Sequence, residues 1–453
     1  MITELRDALR AEAGAVPAYA VYERAVRTAR RRRRTRWGAC LAAAAVLAIL
    51  ATSGVPGALL ADPPPIGSVD GRPSIPDRLA FPPAFWPSVT GSPPGPASVL
   101  FGGTGFAVDR PLRLLDDEGD LAVVGATSDV YRMMRVGFEV HAGEEVLLSP
   151  DGNSLAVPSG FGLRAGILDL STGEETRLTG FSDTEYVTPL AWSPDGHTLA
   201  VKVVPGGAEY PQFGLVDLPG GAIRKSPSPF GSESMPGFDA AFSPDGRLFA
   251  YAADGEIVVV RSDLTELARI ATPGRAWLAG KGAWAPDGRL MTWEITDDTW
   301  RLRGVDLAAK LSGYPLLTSA DPEWTVTAPD LAAVRLLGWT GGQPIVAVYQ
   351  REPSSTVGPP TTYYQDVHSV AVWRLTATGH QVLLTAPHNL MSIDIADAAL
   401  ATGEVRAADP PRFGLVTVLA VVVPVTFVVT LGWALVRRVR RTARRRGIPP
   451  MSS

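Results

Sequence analysis

The side chains of this 453-residue chain that could perform chemistry are few and dispersed. His141, His197, His368, His380 and His388 include no two at metal-ligand spacing. Each reads as a surface or turn residue, and His197 as solvated. Cys40 is the only cysteine, so neither an intrachain disulfide nor a thiolate metal cluster can form. The carboxylate runs Asp297-Asp298 and Asp116-Asp117-Glu118 contain the groups of an acid–base pair. Adjacent acids on a hairpin tip are ordinarily a solvated turn, and that is the reading adopted. Gly102-Gly103-Thr104-Gly105 lacks the third glycine of a dinucleotide loop and precedes no helical pattern, so it reads as a close-packed strand. HExxH, G-x-S-x-G, a Walker lysine loop and CxxC are all missing from the sequence. The expectation is a protein that is not an enzyme, with no catalytic residue, no cofactor and no metal.

The carboxylates that recur do so within a turn. Leu148-Ser149-Pro150-Asp151-Gly152, Trp192-Ser193-Pro194-Asp195-Gly196, Phe242-Ser243-Pro244-Asp245-Gly246 and Trp284-Ala285-Pro286-Asp287-Gly288 are four copies of one pattern. Proline presets the first corner, aspartate tolerates the second, and glycine accepts the left-handed position that closes a hairpin. The serine hydroxyl can cap the turn amides. A β-compatible run follows each copy, such as Leu199-Ala200-Val201 or Leu248-Phe249-Ala250-Tyr251. Two degenerate copies flank the four, at 115–124 and 338–349. A second repeated strand (Ile167–Leu170, Leu215–Leu218, Ile257–Val260, Gly304–Leu307, Val372–Leu375) follows at a regular interval. Each unit therefore reads strand, turn, strand, loop, strand, turn, strand, which is a four-stranded antiparallel blade.

Isolated hairpins are marginal in water, whereas blades stacked around an axis bury both faces and leave short edges. The repeats resemble those of the TolB-like and WD-repeat-like (PD-type) β-propeller families over about residues 99–406. The resemblance implies an all-β propeller of six blades, with a seventh if Val99–Val108 and Ser392–Val405 pair as closing strands of another. The WD dipeptide and Gly-His pair of true WD repeats are missing, so the partner rules of those proteins do not transfer.

Charge is strongly segregated around this unit. Residues 1–36 carry ten arginines and four acids, residues 437–453 seven arginines and no acid, and the middle 25 basic and 42 acidic residues. Each change of sign coincides with an uncharged apolar run, 37–61 and 413–436, long enough to span a bilayer as a helix. Arginine flanks are retained on the cytoplasmic side, so both termini are expected inside and residues 62–412 outside a bacterial plasma membrane. Cleavage of the first run as a signal peptide is disfavoured by its 36-residue lead and by Leu59 at position −3 of the best site. Scarce lysine with abundant arginine, alanine, glycine and proline points to a G+C-rich genome, an actinobacterium in particular.

Residues 62–98 contain eleven prolines and read as a stiff linker, with Phe81, Phe85 and Trp86 docking it onto the propeller or near the membrane. The insertion 353–368, with Tyr363 and Tyr364, reads as an exposed loop. Residues 1–36 read as helical. Leu5-Arg6-Asp7-Ala8-Leu9 and the arginine run resemble the lead of actinobacterial single-pass proteins, some of them linked to extracytoplasmic sigma factors. That segment either rests its arginines on anionic headgroups or docks a cytoplasmic regulatory protein. The acidic exterior argues against nucleic acid. The expected role is binding or sensing of an extracytoplasmic ligand or protein. The alternatives are a propeller lyase, lactonase or hydrolase of envelope substrates, and a purely structural envelope protein.

Overall fold

Alternating or continuous β-branched runs separated by Pro-Asp-Gly turns can satisfy their backbone groups only by pairing with their neighbours, and they do so in groups of four. The structure is a computed structural model. It describes residues 71–411, apart from 83–85, 105–119, 137–138, 161–163, 207–210, 219–220, 230–236, 254, 272–275, 297–298, 306, 308–323 and 352–366, together with Gly432, Arg437 and Arg438.

In chain order the strands are β1 (Ile75–Pro76), β2 (Ala97–Gly103), β3 (Asp120–Gly125) and β4 (Tyr131–Arg135). Next come β5 (Leu147–Leu148), β6 (Ser154–Val157), β7 (Gly166–Asp169) and β8 (Glu175–Arg177). These are followed by β9 (Tyr186–Trp192), β10 (Thr198–Val204), β11 (Gln212–Asp217) and β12 (Ala222–Pro229). The next four are β13 (Ala240–Phe242), β14 (Leu248–Ala253), β15 (Glu256–Arg261) and β16 (Glu266–Ala271). Then come β17 (Ala276–Leu278), β18 (Leu290–Thr296), β19 (Thr299–Val305) and β20 (Trp324–Thr327). The last full set is β21 (Leu331–Thr340), β22 (Gln343–Arg351), β23 (Val367–Thr376) and β24 (Gly379–Thr385). The chain finishes with β25 (Leu390–Ile395), a short helix α1 (Asp397–Thr402) and β26 (Val405–Arg406).

Five sheets are consecutive meanders, and the sixth has the order β25-β2-β3-β4. Neighbouring blades touch through their first strands, β25 with β5, β5 with β9 and β9 with β13, so these strands surround the axis. The result is a six-bladed β-propeller. The segments expected as closing strands of a seventh blade do pair, with Val99 opposite Ile395 and Phe101 opposite Ile393. They lie in the same sheet as β3 and β4, which fixes the number at six. The degenerate copy at 115–124 is likewise corrected. Its apolar half is β3, the third strand of the closing blade, between β2 and β4. That blade has no first turn of the repeated kind because its first two strands come from opposite ends of the propeller.

The repeated turns are built alike. Gly152, Gly196, Gly246 and Gly288 have φ of 76°, 71°, 68° and 85°, the left-handed region. In the second copy the Ser193 hydroxyl donates to Asp195 Oδ1 at 2.5 Å and accepts the Thr198 amide at 2.8 Å. Asp195 also accepts the His197 amide at 3.0 Å. The first and third copies repeat this with Ser149–Asp151 and Ser243–Asp245, both at 2.7 Å. In the fourth, Ala285 cannot, and Asp287 instead takes the Arg289 amide and side chain at 3.1 and 2.7 Å. The aromatic preceding the turn fastens blades together. The indole nitrogens of Trp192, Trp284 and Trp339 donate to the carbonyls of Leu147, Ala241 and Gly282 in the preceding blade, at 3.5, 3.2 and 2.8 Å. Middle strands such as Leu199–Val201 and Ile345–Val348 are buried on both faces, whereas β8 is wholly exposed and charged.

Residues 72–82 and 86–92 are held along the propeller. Asp77 and Leu79 hydrogen-bond to Thr385 at the end of β24, and Val89 and Pro87 to Met133 in β4. Phe81 packs on Phe101 at 5.9 Å, and Trp86 also lies against the core, the docking expected of them; Phe85 lies outside the described residues. β1 and β26 form a parallel pair. Beside it Arg406, buried, bonds Asp129 at 3.1 Å and the carbonyls of Ser74, Gly125 and Ser128. Among the described residues no helix is long and apolar enough to cross a membrane. The runs 37–61 and 413–436, Gly432 apart, lie outside the described residues, as do residues 1–36, Asp297-Asp298, Asp116-Asp117-Glu118 and Tyr363-Tyr364.

Two outcomes follow from these contacts. Hydrogen bonds from Ser193, first, and from the His197 amide hold the Asp195 carboxyl below its ordinary value. The stability this supplies is present above the unfolded aspartate range, ~3.9, and is lost as pH falls through the lower folded value. Asp195→Asn should therefore lower the urea midpoint at neutral pH, and the difference from wild type should shrink towards zero in acid. Arg406→Met strands Asp129 in the interior and should cost about 3–5 kcal/mol, read as a fall in the urea midpoint that Asp129→Asn partly restores.

Candidate functional site

The position six residues before each turn aspartate lies on or beside the first strand of its blade. It holds Glu145 before Asp151, Asp239 before Asp245 and Lys281 before Asp287, and the uncharged Pro189 before Asp195. In the blade begun by β21 a bulge between Leu336 and Gly338 shifts the count by one, and Arg335 stands there. Propeller geometry brings these positions together around the axis. Residues 141–146 form a tight turn leading into β5, in which the His141 carbonyl accepts the amides of Glu144, Glu145 and Val146 at 3.2–3.3 Å.

Arg335, 1% exposed, donates from Nη1 to the Gly143 carbonyl at 2.7 Å and from Nη2 to the Ile393 carbonyl. It thus joins three first strands, β21, β5 and β25. A Cβ placed on Gly237 would lie 2.9 Å from Arg335 Nη1 and 3.1 Å from Glu144 Cγ, so the blade begun by β13 closes tightly over the same guanidinium. Asp394, also 1% exposed, accepts the Leu148 amide at 3.0 Å and pairs with Lys281 at 3.0 Å; Lys281 also reaches Asp397 at 3.0 Å. Ser392 accepts the Ala142 amide at 2.9 Å.

Electrostatics differ between the two halves of this cluster. Burial pulls the Lys281 ammonium down, but Asp394 and Asp397 outweigh it and hold the group above its ordinary value. Glu144 is the opposite case. Burial first, then the charges of Glu145 and Asp239, push its carboxyl well above the usual range, with Arg335 opposing. The buried Tyr349 phenol, which senses both Arg335 and Glu144, is also pushed up, mainly by burial. Tyr186 at the start of β9 feels this cluster: its phenol is raised by burial and by the charge of Glu145. Tyr186 also lines a cavity of about 440 Å³, with Ser159, Arg164, Phe181, Asp183 and Glu185. A second cavity of similar volume lies between Trp86, Met133, Met134 and Leu168.

The residues singled out in the sequence lie elsewhere. Asp151, Asp195, Asp245 and Asp287 sit in four separate turns and serve those turns alone. Gly102 and Gly103 are close-packed as expected: a Cβ on Gly103 would lie 2.2 Å from the Asn389 carbonyl oxygen. His197, His380 and His388 are exposed and His368 half-buried. His141 is a turn residue as expected, but a buried one: it is only 5% exposed and faces Glu145, its Nδ1 3.3 Å from Oε2. The axial groups were missed as a set. Their sequence signal was the charge at a fixed offset from three of the four turns, and the lone Arg335 within Leu331–Trp339.

No family model matches the sequence, and no curated protein matches it. Solved structures with a similar course include TolB from Acinetobacter baumannii, at 15% identity over 68% of this chain and 67% of that one, TM-score 0.41. A hydrazine synthase chain from Kuenenia stuttgartiensis is 18% identical over 54% of this chain, TM-score 0.34, and only 66% of its own length is covered. An oligogalacturonate lyase in complex with manganese is 14% identical over 59% of this chain and 70% of that one, TM-score 0.35. These are likenesses of fold and carry nothing about activity; the propeller rests on its own strand pairing.

Arg335→Met should destabilise the chain by about 3–5 kcal/mol by removing the cation that faces Glu144, measured as a lowered urea midpoint. Arg335→Lys should recover little of it, because one ammonium cannot serve the Gly143 and Ile393 carbonyls as a planar fork does.

Proposed function

We propose that the chain is a plasma-membrane protein with two spans and both ends cytoplasmic, presenting its propeller outside as a binding or sensing module. The observation that carries this reading is the place where the propeller's ends emerge. Residues 72–78 and 402–409 run side by side: Ile75 and Asp77 donate to the Glu404 and Arg406 carbonyls, and Thr402 Oγ1 donates to Pro73. An apolar run precedes the first segment by ten residues and another follows the second by three, and each run has a dense arginine flank on its far side. Because the pair is parallel, residues 71 and 411 leave from its opposite ends, and the ten residues 62–71 give the first run length enough to return to the same bilayer as the second.

A binding role is favoured because most of the axial charges already have partners. Lys281, Asp394 and Arg335 are engaged with one another's strands, so they fix the ring more directly than they could turn over a substrate. The enzymatic alternative has one observation in its favour, the raised Glu144 carboxyl, which is the protonation behaviour of a general acid. The arginine-rich ends are read as contacts for anionic headgroups or for a cytoplasmic regulator.

Two measurements test this. In a Cys40→Ser background, Thr378→Cys on the exposed β23–β24 turn should react with a membrane-impermeant maleimide on intact cells, and Ser452→Cys only after lysis. The reverse pattern overturns the topology. Photo-cross-linking from position 22 in native membranes should then capture one soluble regulator reproducibly; lipid adducts alone would reduce that end to an anchor.

A further inference from the structure

The turn 141–146 contains more than a strand needs. His141, Glu144 and Glu145 each offer one ligand atom, and these three atoms lie within 4.8 Å of one another. One imidazole and two carboxylates form a mixed nitrogen–oxygen set that suits Mn²⁺ or Zn²⁺ better than the all-oxygen preference of Ca²⁺ or Mg²⁺.

Two features set this apart from an ordinary patch of acids. The donors are preorganised. His141 and Glu144 are buried, and their loop is fixed by the His141 carbonyl, by Ser392 on the Ala142 amide, and by Arg335 on the Gly143 carbonyl. The imidazole is oriented from outside. Its Nδ1 faces Glu145 at 3.3 Å and its Nε2 lies 3.8 Å from Glu139 Oε1, so a carboxylate stands near each ring nitrogen. Glu145 is about a quarter exposed, so the cluster is open to solvent on that side, and its charge reaches Tyr186, which lines the cavity already described.

We propose that His141, Glu144 and Glu145 bind one divalent first-row cation, Mn²⁺ or Zn²⁺, at the propeller axis. Water, or an oxygen-bearing ligand entering from the cavity beside Tyr186, completes its coordination. The site ties the propeller's binding function to a cation and does not depend on the membrane topology.

The test uses the full chain in lipid nanodiscs, stripped with chelator and titrated with Mn²⁺ alone or Zn²⁺ alone, with bound metal measured by elemental analysis after equilibrium dialysis. Wild type should retain one equivalent of at least one of the two. His141→Gln and Glu145→Gln should each weaken binding about tenfold or more. Wild type should also melt at a higher temperature with the cation than without it, and Glu145→Gln should not. Metal-free melting curves of both variants establish that they fold. Failure of wild type to hold a stoichiometric cation overturns the proposal, as does undiminished binding by both folded variants.

Discussion

The pairing of Leu390–Ile395 with Ala97–Gly103 is the contact on which every other blade depends. A blade's two faces are apolar because each is covered by a neighbour, so an open ring would expose the faces at the break to water. Closure also explains the crossed composition of that blade, three strands from the beginning of the propeller and one from its end. Arg335 adds to it at the axis by bonding the Ile393 carbonyl in β25 and the Gly143 carbonyl before β5. Hydrogen bonds from the ring's last segment, Ala396 to Ser98 and Ala398 to Pro150, brace the same junction.

The local chemistry of the turn was legible because it is complete within six residues. Ser193, Asp195, Gly196 and Thr198 satisfy one another without help from elsewhere, and the same residue types repeat the same bonds at 149–154 and 243–248. The third strands were equally readable from their apolar runs. The copy at 115–124 was misread because an apolar run after Asp-Glu-Gly looks the same whether it is a second strand or a third. Only the partner decides, and β3 has β2 and β4 on its two sides. The way residues 72–82 and 86–92 lie along β24 and β4 has no counterpart in a proline count either, since proline sets stiffness and leaves the docking partner open.

The axial cluster shows why a site can be periodic in the sequence and still escape notice. Glu145, Asp239 and Lys281 share an offset from their turns but not a residue type or a sign of charge, so no pattern of identical letters marks them. Their meaning comes from convergence of different blades on one axis. His141 is the opposite case: Glu144 and Glu145 follow it by three and four residues, and what the sequence left open is the tight turn that folds them onto the imidazole.

The parallel sense of the β1–β26 pair has a mechanical meaning. Residue 71 leaves from one end of that pair and residue 411 from the other. Tension drawn between those two points along the strands would load the Ile75–Glu404, Asp77–Arg406 and Asp77–Ala408 bonds together, in shear, with the Arg406–Asp129 pair behind them. Bonds loaded side by side fail together, whereas those at the end of an antiparallel hairpin unzip in turn. The propeller is therefore held at its two ends by a joint that resists pulling.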